Sequence, residues 1–236
     1  MEIKDIVEDV CYDLNIHDDK FKKKIYISLS GVEKFYRESP VMMCLGGIPG
    51  VGKSTYSIKI YKEDFYIINP DYYRTFCLEY THLNTTNLID KTSNFVTLVC
   101  NILIQCLCKL SCNILIEDTF ANYSYWKDYL HNIHLNRYKK IFILLSAPIY
   151  LCYEATQIRY HKEATCACII PRKVEMEFVV NRAKNLYRSV NKYYNSCLFE
   201  EFIIMYRDTI DAEFEQIPYK DYLNILSKEL LPHEVL

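Results

Sequence analysis

Glycine is scarce in this sequence. The 236 residues contain only five glycines, whereas average usage is roughly 7%. Four of the five lie between residues 46 and 52, in the stretch LGGIPGVGKST. Because glycine loses more backbone freedom on folding than any other residue, such a cluster indicates that something comes very close to the backbone there. The scarcity elsewhere makes this stretch the first candidate for a functional site.

An excess of either charge is also missing. The net charge is −2, so no global electrostatic field recruits nucleic acid or a membrane surface, and neither is a favoured partner. One apolar segment, 95–116, carries a single charge in 22 residues and is long enough to span a bilayer. However, Asn101, Gln105 and Lys109 recur in it at every fourth position, which draws one polar stripe along a helix. The pattern predicts a half-buried helix followed by a buried strand rather than a membrane span.

Signals for secretion and for zinc binding are lacking as well. The first ten residues are charged and contain no apolar core of a signal peptide. The eleven cysteines are an odd number and many lie in apolar runs, and the C-x-C pairs that begin at 106 and 166 do not have the spacing of zinc ligands. We therefore expect reduced, buried thiols in a cytoplasmic protein, and no metal other than Mg²⁺.

The glycine cluster lies between a predicted buried strand over 41–46 and a predicted helix that opens at residue 53. In this setting Gly47 to Ser54 match G-x-x-x-x-G-K-[ST] at every fixed position, the pattern of a phosphate loop, whose backbone N–H groups cradle phosphate oxygens. Lys53 is predicted to reach the β and γ phosphates, and the Ser54 hydroxyl to bind Mg²⁺. The predicted cofactors are ATP and Mg²⁺, and the predicted nucleotide-binding residues are Gly47, Ile48, Pro49, Gly50, Val51, Gly52, Lys53, Ser54 and Thr55.

Predicted strands alternate with helices along the chain. Such alternation predicts an α/β fold, a three-layer sandwich in which a parallel sheet of roughly five strands carries helices on both faces. The strands are expected at 41–46, 65–68, 113–116, 140–146 and 202–206. Three regions follow from the same pattern: a helical extension over 1–40 that Pro40 closes, a core over 41–210 with a lid at about 160–175, and a helical tail over 211–236.

Polar residues follow the predicted strands, where ligands bind in such sheets. Asp71 follows the second strand, and Glu117, Asp118 and Thr119 follow or end the third. A carboxylate near a phosphate loop can orient Mg²⁺ through water or accept a proton from an attacking hydroxyl. The alternative for Asp71 is that it caps the helix it precedes.

Cationic residues flank the predicted lid. Arg159 lies near the end of one helix and Arg172 at the start of the next, with an irregular stretch between them. Phosphoryl transfer needs cations over the transferred group and a flap that excludes water. A regulatory GTPase is not favoured, because the D-x-x-G and N-K-x-D motifs are absent after the later strands. The combination favours a small phosphotransferase with Lys53, Asp71, Arg159 and Arg172 as catalytic residues.

With these motifs in order, the sequence resembles the zeta toxin family of P-loop kinases. The resemblance rests on GGIPGVGKST, IINPDYYR, NILIEDTF and IRY, and covers about 41–207. It implies a P-loop kinase core, ATP-dependent phosphorylation of UDP-N-acetylglucosamine, and an antitoxin-like protein partner. By position, it implies that Asp71 is the base, that Glu117 and Thr119 hold the sugar nucleotide, and that Arg159 steadies the phosphates.

The sequence departs from the family pattern at two places. Asp118 stands where the family usually has glycine, and Cys168 stands where it has a second lid arginine, so Arg172 has to substitute. An Asp118 that faces the acceptor repels a sugar diphosphate, whereas one that caps the next helix is compatible with it. Two alternatives stay open: a polynucleotide 5′-hydroxyl kinase, in which Tyr72 and Tyr73 stack on bases, and a nucleotide-gated binding module without catalysis.

Overall fold

A computed structural model describes residues 2–73, 88–132, 137–165 and 173–230. Within these residues eight helices are fully bounded, and a 3₁₀ turn covers Val32–Phe35. A further helical segment begins at Pro70, and only its first residues, 70–73, are described. The eight helices are α1 (Ile3–Asp13), α2 (Asp19–Ser28), α3 (Lys53–Tyr61), α4 (Leu88–Lys109), α5 (Tyr123–Asn132), α6 (Ile149–Ala164), α7 (Met176–Tyr194) and α8 (Tyr219–Leu230).

The strands form one six-stranded sheet in the order β2-β3-β1-β4-β5-β6. β2 pairs with β3 and β4 with β5 in parallel, and β6 is antiparallel to β5. The predicted α/β fold with a mostly parallel sheet is confirmed, and each of the five expected strands is found within one residue at either end. The sixth strand was not predicted, because two residues carry no periodic signal. The strands are β1 (Val41–Gly46), β2 (Tyr66–Ile68), β3 (Ile114–Glu117), β4 (Lys139–Ser146), β5 (Glu201–Tyr206) and β6 (Glu215–Gln216).

The chain divides into two compact units. The first unit comprises Met1–Met42, Ile58–Glu117 and Ile133–Lys139. In it α1 packs against α2 and α4, and α4 packs against β2. The N-terminal helices therefore share a core with the middle of the chain.

The apolar segment that raised the membrane question belongs to this unit. Val99, Ile102 and Leu103 of α4 are buried, while Lys109 is exposed, so the predicted half-buried helix followed by the strand β3 is confirmed. Among the residues described, no helix combines the length and the apolar character that crossing a membrane requires.

Two polar contacts fix the first unit locally. The buried Asn113 accepts a hydrogen bond from the Val41 backbone N–H at 2.9 Å and donates one to the Asp64 carbonyl at 3.2 Å. The Tyr66 hydroxyl of β2 donates to the Ser28 carbonyl at the end of α2 at 2.6 Å. This second contact ties α2 to the strand that leads to Asp71.

The second unit comprises Met43–Ser57, Asp118–Asn132 and Lys140–Leu236. Its core contains a cluster of aromatic rings in which Phe142 stacks on Tyr193 and Phe202, with centroid separations of 5.2 and 4.9 Å. Helix α7 packs against α5, α6 and α8. At the tail, the Glu229 carboxylate of α8 accepts a hydrogen bond from the Ile149 backbone N–H at the start of α6, at 3.2 Å.

The eight cysteines among the described residues are all free thiols, and seven of them are buried. Burial raises the pKa of the Cys106 and Cys152 thiols to about 12. Such thiols stay protonated and unreactive at neutral pH. The expectation that the thiols are buried is confirmed for seven of these eight residues, and Cys197 is exposed.

Candidate active site

The predicted phosphate loop joins β1 to α3 in the second unit. Three of its glycines have backbone conformations that side chains rarely adopt, with φ of +153° at Gly47, +84° at Gly50 and +102° at Gly52. The strand–loop–helix setting that the motif requires is thus present. A loop of this kind can turn successive N–H groups toward one anion.

Gly50 shows how tightly the loop is packed. A Cβ atom at this position would lie 1.9 Å from the carbonyl oxygen of Cys152 in α6. A residue with a side chain is therefore unfavourable at position 50 for two reasons: the backbone conformation and the lack of space for a Cβ atom. The loop is fixed against α6 by backbone contact.

Lys53 lies over the loop that precedes it. Its Nζ donates hydrogen bonds to the carbonyl oxygens of Gly47, at 2.7 Å, and Ile48, at 3.3 Å. The ammonium group is thereby held within the curve of the loop, which suits the recognition of a nucleoside triphosphate. Ser54 and Thr55 follow in the first turn of α3 and are exposed.

The residues of the loop also fit Mg²⁺. This ion keeps several waters and is usually held by one or two protein groups together with substrate phosphates, so the Ser54 hydroxyl is a sufficient protein ligand. Within the described ranges no group of three or more His, Cys, Asp or Glu side chains is arranged to hold a metal.

Arg207 supports the same loop, and the sequence-based predictions omitted it. Its Nη2 donates to the Val51 carbonyl at 3.1 Å, its Nη1 donates to the Ile210 carbonyl at 2.9 Å, and its guanidinium lies 4.8 Å from the ring centroid of Phe214. A Cβ atom on Gly52 would lie 3.3 Å from Nη2. A usable signal existed, because Arg207 directly follows β5, where informative residues are expected in such sheets.

A second polar cluster lies in the first unit, after β2 and at the end of β3. Asn69 donates from Nδ2 to Glu117 Oε2 at 3.0 Å, and its Oδ1 accepts from the Asp71 backbone N–H at 2.9 Å. Glu117 is only 3% exposed, whereas Asp71 is exposed. A single amide thus joins the buried Glu117 carboxylate to the backbone N–H of the exposed Asp71.

The helical segment that begins at Pro70 is capped by Asn69. An asparagine side chain that accepts from the N–H two residues on is a common N-cap, and proline suits the first helical position. The alternative that Asp71 is the N-cap is therefore wrong, because Asp71 already lies in the first turn. Most of the predicted helix over 72–79 lies outside the described residues.

A cavity of about 660 Å³ opens beside this cluster, entirely within the first unit. This volume falls in the range of small-molecule sites. Burial raises the pKa of the Tyr66 and Tyr73 hydroxyls, which therefore stay protonated at neutral pH. Helix α2 supplies part of the wall, a contribution that the sequence did not reveal. The lining includes Lys24, Ile27, Asn69, Tyr72, Tyr73 and Glu117.

Asp118 directs its carboxylate into the second unit. Its Oδ2 accepts a hydrogen bond from Trp126 Nε1 of α5 at 2.9 Å, and its Oδ1 accepts from the Thr119 backbone N–H at 2.7 Å. Both oxygens thus have donors from the protein. Asp118 does not cap α5, because Asn122 Oδ1 accepts from the Tyr125 N–H at 3.2 Å in the first turn of that helix. Asp118 instead holds the Trp126 side chain and its own turn.

Comparison with known proteins gives the family. The family model for zeta toxin matches residues 29–215. The chain belongs to the zeta toxin family. Membership supports a nucleotide-binding, kinase-type phosphotransferase. No curated protein sequence matches the chain significantly.

Solved structures share the zeta toxin fold of this chain at low sequence identity. A protein of the PezAT chromosomal toxin–antitoxin system of Streptococcus pneumoniae is 21% identical, with a TM-score of 0.67 over 99% of this chain and 96% of that one. A chain of the AvrRxo1-ORF1:-ORF2 complex with ATP is 10% identical, with a TM-score of 0.61 over 83% and 64%. A chain of the Pnkp1/Rnl/Hen1 RNA repair complex is 17% identical, with a TM-score of 0.51 over 77% and 49%. At these identities the likeness establishes the fold alone.

The lid residues expected from the zeta toxin resemblance are described in part. Arg159 lies in the last turns of α6, and its Nε is 3.7 Å from Oε1 of Glu163 one turn later. Residues 166–172, which include Arg172, lie outside the described residues. The structure thus groups the phosphate loop and Arg159 in the second unit, and Asp71 and Glu117 in the first.

Proposed function

We propose that this member of the zeta toxin family is an ATP-dependent kinase that transfers the γ-phosphate to a hydroxyl group of a small molecule. The observation that carries the proposal is the buried Glu117, held by Asn69 at a ligand-sized cavity next to the exposed Asp71. A buried carboxylate is costly unless hydrogen bonds compensate it. Its place at a cavity supports a role in binding a polyhydroxylated acceptor.

In this proposal the phosphate loop binds ATP. Backbone N–H groups of residues 47–52, apart from Pro49, which has none, contact the phosphates. Lys53 exchanges its contacts with loop carbonyls for the β and γ phosphates. Ser54 contributes its hydroxyl to Mg²⁺. Mg²⁺ held there would supply positive charge that offsets the negative charge developing on the transferred phosphoryl group.

The cluster around Asn69 provides the residues that bind and deprotonate the acceptor hydroxyl. The acceptor hydroxyl oxygen forms a bond to the γ phosphorus, the bond from that phosphorus to the β–γ bridging oxygen breaks, and the proton of the hydroxyl passes to the Asp71 carboxylate. We assign the Glu117 carboxyl group, which accepts from Asn69 at 3.0 Å, to a hydroxyl of the acceptor, since a carboxylate offers about four lone-pair sites. We assign Thr119 to the same acceptor, and Arg159 and Arg172 to the transferred phosphoryl group.

The most specific acceptor that we propose is UDP-N-acetylglucosamine. The assignment rests on family membership and is supported by the geometry of Asp118. Because both oxygens of this carboxylate accept hydrogen bonds from Trp126 and Thr119, we assign Asp118 to the positioning of α5 and not to the acceptor. A sugar diphosphate then meets less negative charge than the sequence alone implied.

We further propose an antitoxin-like protein as a partner and the cytoplasm as the compartment. The first rests on the fold shared with a protein of the PezAT toxin–antitoxin system. The second rests on the free thiols of the described cysteines, which are typical of a reducing environment.

The test is a parallel transfer assay with γ-labelled ATP. The chain is incubated separately with UDP-N-acetylglucosamine, with a 5′-hydroxyl oligonucleotide and with a cell metabolite extract, and the Asp71→Asn variant serves as the control. We expect label in the sugar nucleotide with the unaltered chain only. Label in the oligonucleotide alone replaces this acceptor with a polynucleotide end. ATP binding without transfer to any of the three overturns the kinase and favours a binding module.

A further inference from the structure

The side-chain amide of Asn69 donates a hydrogen bond at one end and accepts one at the other. The Nδ2 group donates to the Glu117 carboxylate at 3.0 Å, while the Oδ1 atom accepts from the Asp71 backbone N–H at 2.9 Å. These two partners fix the orientation of the amide, since a carboxylate needs a donor and a backbone N–H needs an acceptor. Asparagine meets both requirements, whereas an ionised carboxylate of the same size can accept from the N–H but has no donor for Glu117.

The two partners of Asn69 are unequal. Glu117 is 3% exposed, so hydrogen-bond donors for its carboxyl group must come from the protein rather than from bulk water. Asp71 is exposed, and its position depends on how the helical segment after Pro70 begins. One side chain thus sets the orientation of a buried acceptor-binding group and the start of the segment that carries the base.

We infer that Asn69 is a positioning residue, which fixes Glu117 and Asp71 relative to each other for the acceptor hydroxyl. The inference rests on the proposed function, in which these carboxylates bind and deprotonate the acceptor. Asn69 itself does not enter the reaction. A misplacement of about 1 Å at a reacting group can cost about 10²-fold in rate, which sets the scale of the expected effect.

The groups that titrate around Glu117 decide how a variant behaves with pH. The cavity beside it is lined by Lys24 of α2 and by Tyr66, Tyr72 and Tyr73. Burial raises the pKa of Tyr66 and Tyr73, and lysine and tyrosine ordinarily titrate near pH 10. Asp71 and Asp118, the neighbours of the cluster along the chain, are the other carboxyl groups to consider, and Asp118 bonds to Trp126. Between pH 5 and 8 the Tyr66 and Tyr73 hydroxyls therefore stay protonated and contribute no change with pH.

Asn69→Asp places a second carboxyl against Glu117. Two carboxylates at hydrogen-bond distance cannot both ionise at low cost, so one pKa of the pair rises strongly. We expect kcat/KM for the acceptor to fall by about 10²-fold at pH 8. The ratio of this variant to the unaltered chain should rise as the pH is lowered toward 5, because a proton shared by the pair restores the lost donor.

Asn69→Ser separates the two contacts. A serine N-cap can still accept from the Asp71 N–H but does not donate to Glu117 at the same distance. We expect the KM for the acceptor to rise with a smaller change in kcat. A purely structural role predicts equal losses in both variants at every pH.

The matched control is Asn113→Asp. Asn113 is a buried amide of the same unit that also donates once and accepts once, to the Asp64 carbonyl and from the Val41 N–H. The substitution should lower stability, while the pH profile of kcat/KM keeps its shape. If Asn69→Asp behaves in the same way as this control, the positioning role is overturned.

A titration of ¹³C-labelled glutamate carboxyls by NMR completes the experiment without relying on turnover. We expect the titration of Glu117 to become coupled to that of the introduced carboxyl in Asn69→Asp, with one pKa of the pair raised, and to stay as in the unaltered chain in Asn113→Asp. A Glu117 titration that is the same in all three proteins overturns the inference. If the unaltered chain phosphorylates no acceptor, the proposed function fails, and this titration alone decides whether Asn69 orders Glu117.

Discussion

The phosphate loop of the second unit and the Asn69 cluster of the first are built on different principles. The loop takes its shape from the backbone: three glycines have positive φ, and at Gly50 even a Cβ atom would meet the Cys152 carbonyl at 1.9 Å. The Asn69 cluster takes its shape from side chains, with one amide bonded to a buried carboxylate and to a helix start.

The difference determines how each region tolerates change. A loop whose shape depends on glycine backbone conformations is disrupted when a side chain is added at one of those glycines. Substitution of most residues around the loop should leave its shape unchanged. A cluster that is held by side-chain hydrogen bonds tolerates substitution of adjacent residues in the chain. It is disrupted when a donor side chain is replaced by an acceptor. The two regions should therefore respond to different substitutions.

The largest effect is expected at Asp71. Asp71→Asn keeps the shape of the side chain and the backbone N–H that binds Asn69, but it removes the proposed base. We expect turnover to fall by roughly 10²–10⁴-fold, the range of lost general-base catalysis, with nearly unchanged ATP affinity by titration calorimetry. Turnover equal to that of the unaltered chain leaves Asp71 without a catalytic role.

The second-largest effect is expected at Lys53, the cation of the loop. Lys53→Ala removes the ammonium group that lies over Gly47 and Ile48. Because each preorganised charge-stabilising donor contributes about 10²–10³-fold to turnover, we expect a loss of that size together with weaker binding of a non-hydrolysable ATP analogue. Lys59→Ala, on the same helix, is the control and should bind normally. An unchanged affinity in Lys53→Ala contradicts the phosphate-loop assignment.

The third test adds one carbon to the loop. Gly50→Ala combines a left-handed backbone, which costs about 1–2 kcal/mol for a residue with a side chain, with the contact to Cys152. We expect a lower unfolding temperature and a loss of ATP affinity. Gly31→Ala is matched in conformation, with φ of +74°, but has open space around its Cβ, so it should lose stability only. If Gly50→Ala and Gly31→Ala bind ATP with equal affinity, a shift of the loop away from Cys152 does not impair ATP binding, and the prediction is wrong.

The smallest effect concerns the support of the loop. Arg207→Met removes the hydrogen bonds to the Val51 and Ile210 carbonyls, each of which contributes about 1 kcal/mol. We expect ATP to bind about tenfold more weakly, which corresponds to 1.4 kcal/mol. Arg37→Met is the control, because Arg37 also donates to two carbonyls, of Lys34 and Tyr36, in the first unit. It should leave ATP affinity unchanged.

The same contrast explains how much of the molecule could be predicted from the sequence. The strands and the phosphate loop were predictable because their signals are local: apolar runs mark β1 and β4, and the glycine spacing marks the turn between strand and helix. The family followed from the order of these motifs and is confirmed by the match over residues 29–215.

The cavity was less predictable because its parts come from separate segments. The contribution of α2 depends on tertiary contacts such as the hydrogen bond from the Tyr66 hydroxyl to the Ser28 carbonyl. The cap at Asn69 was missed because Asp71 also suits an N-cap by type, and a shift of one or two residues in a helix start is beyond what propensity resolves. Arg207 was missed although its place directly after a strand was a sufficient signal.

Helix α2 has a consequence for how such enzymes diversify. It lies before the segment that matches the family model, yet Lys24, Ile27 and Ser28 line the cavity at Asn69 and Glu117. Substitutions in this helix alter the wall against which a ligand rests, while the phosphate loop and the carboxylates keep their residues. An exchange of α2 between related chains thus reshapes this cavity and leaves the shared motifs of the family untouched; under the proposed function, it would change which acceptor fits.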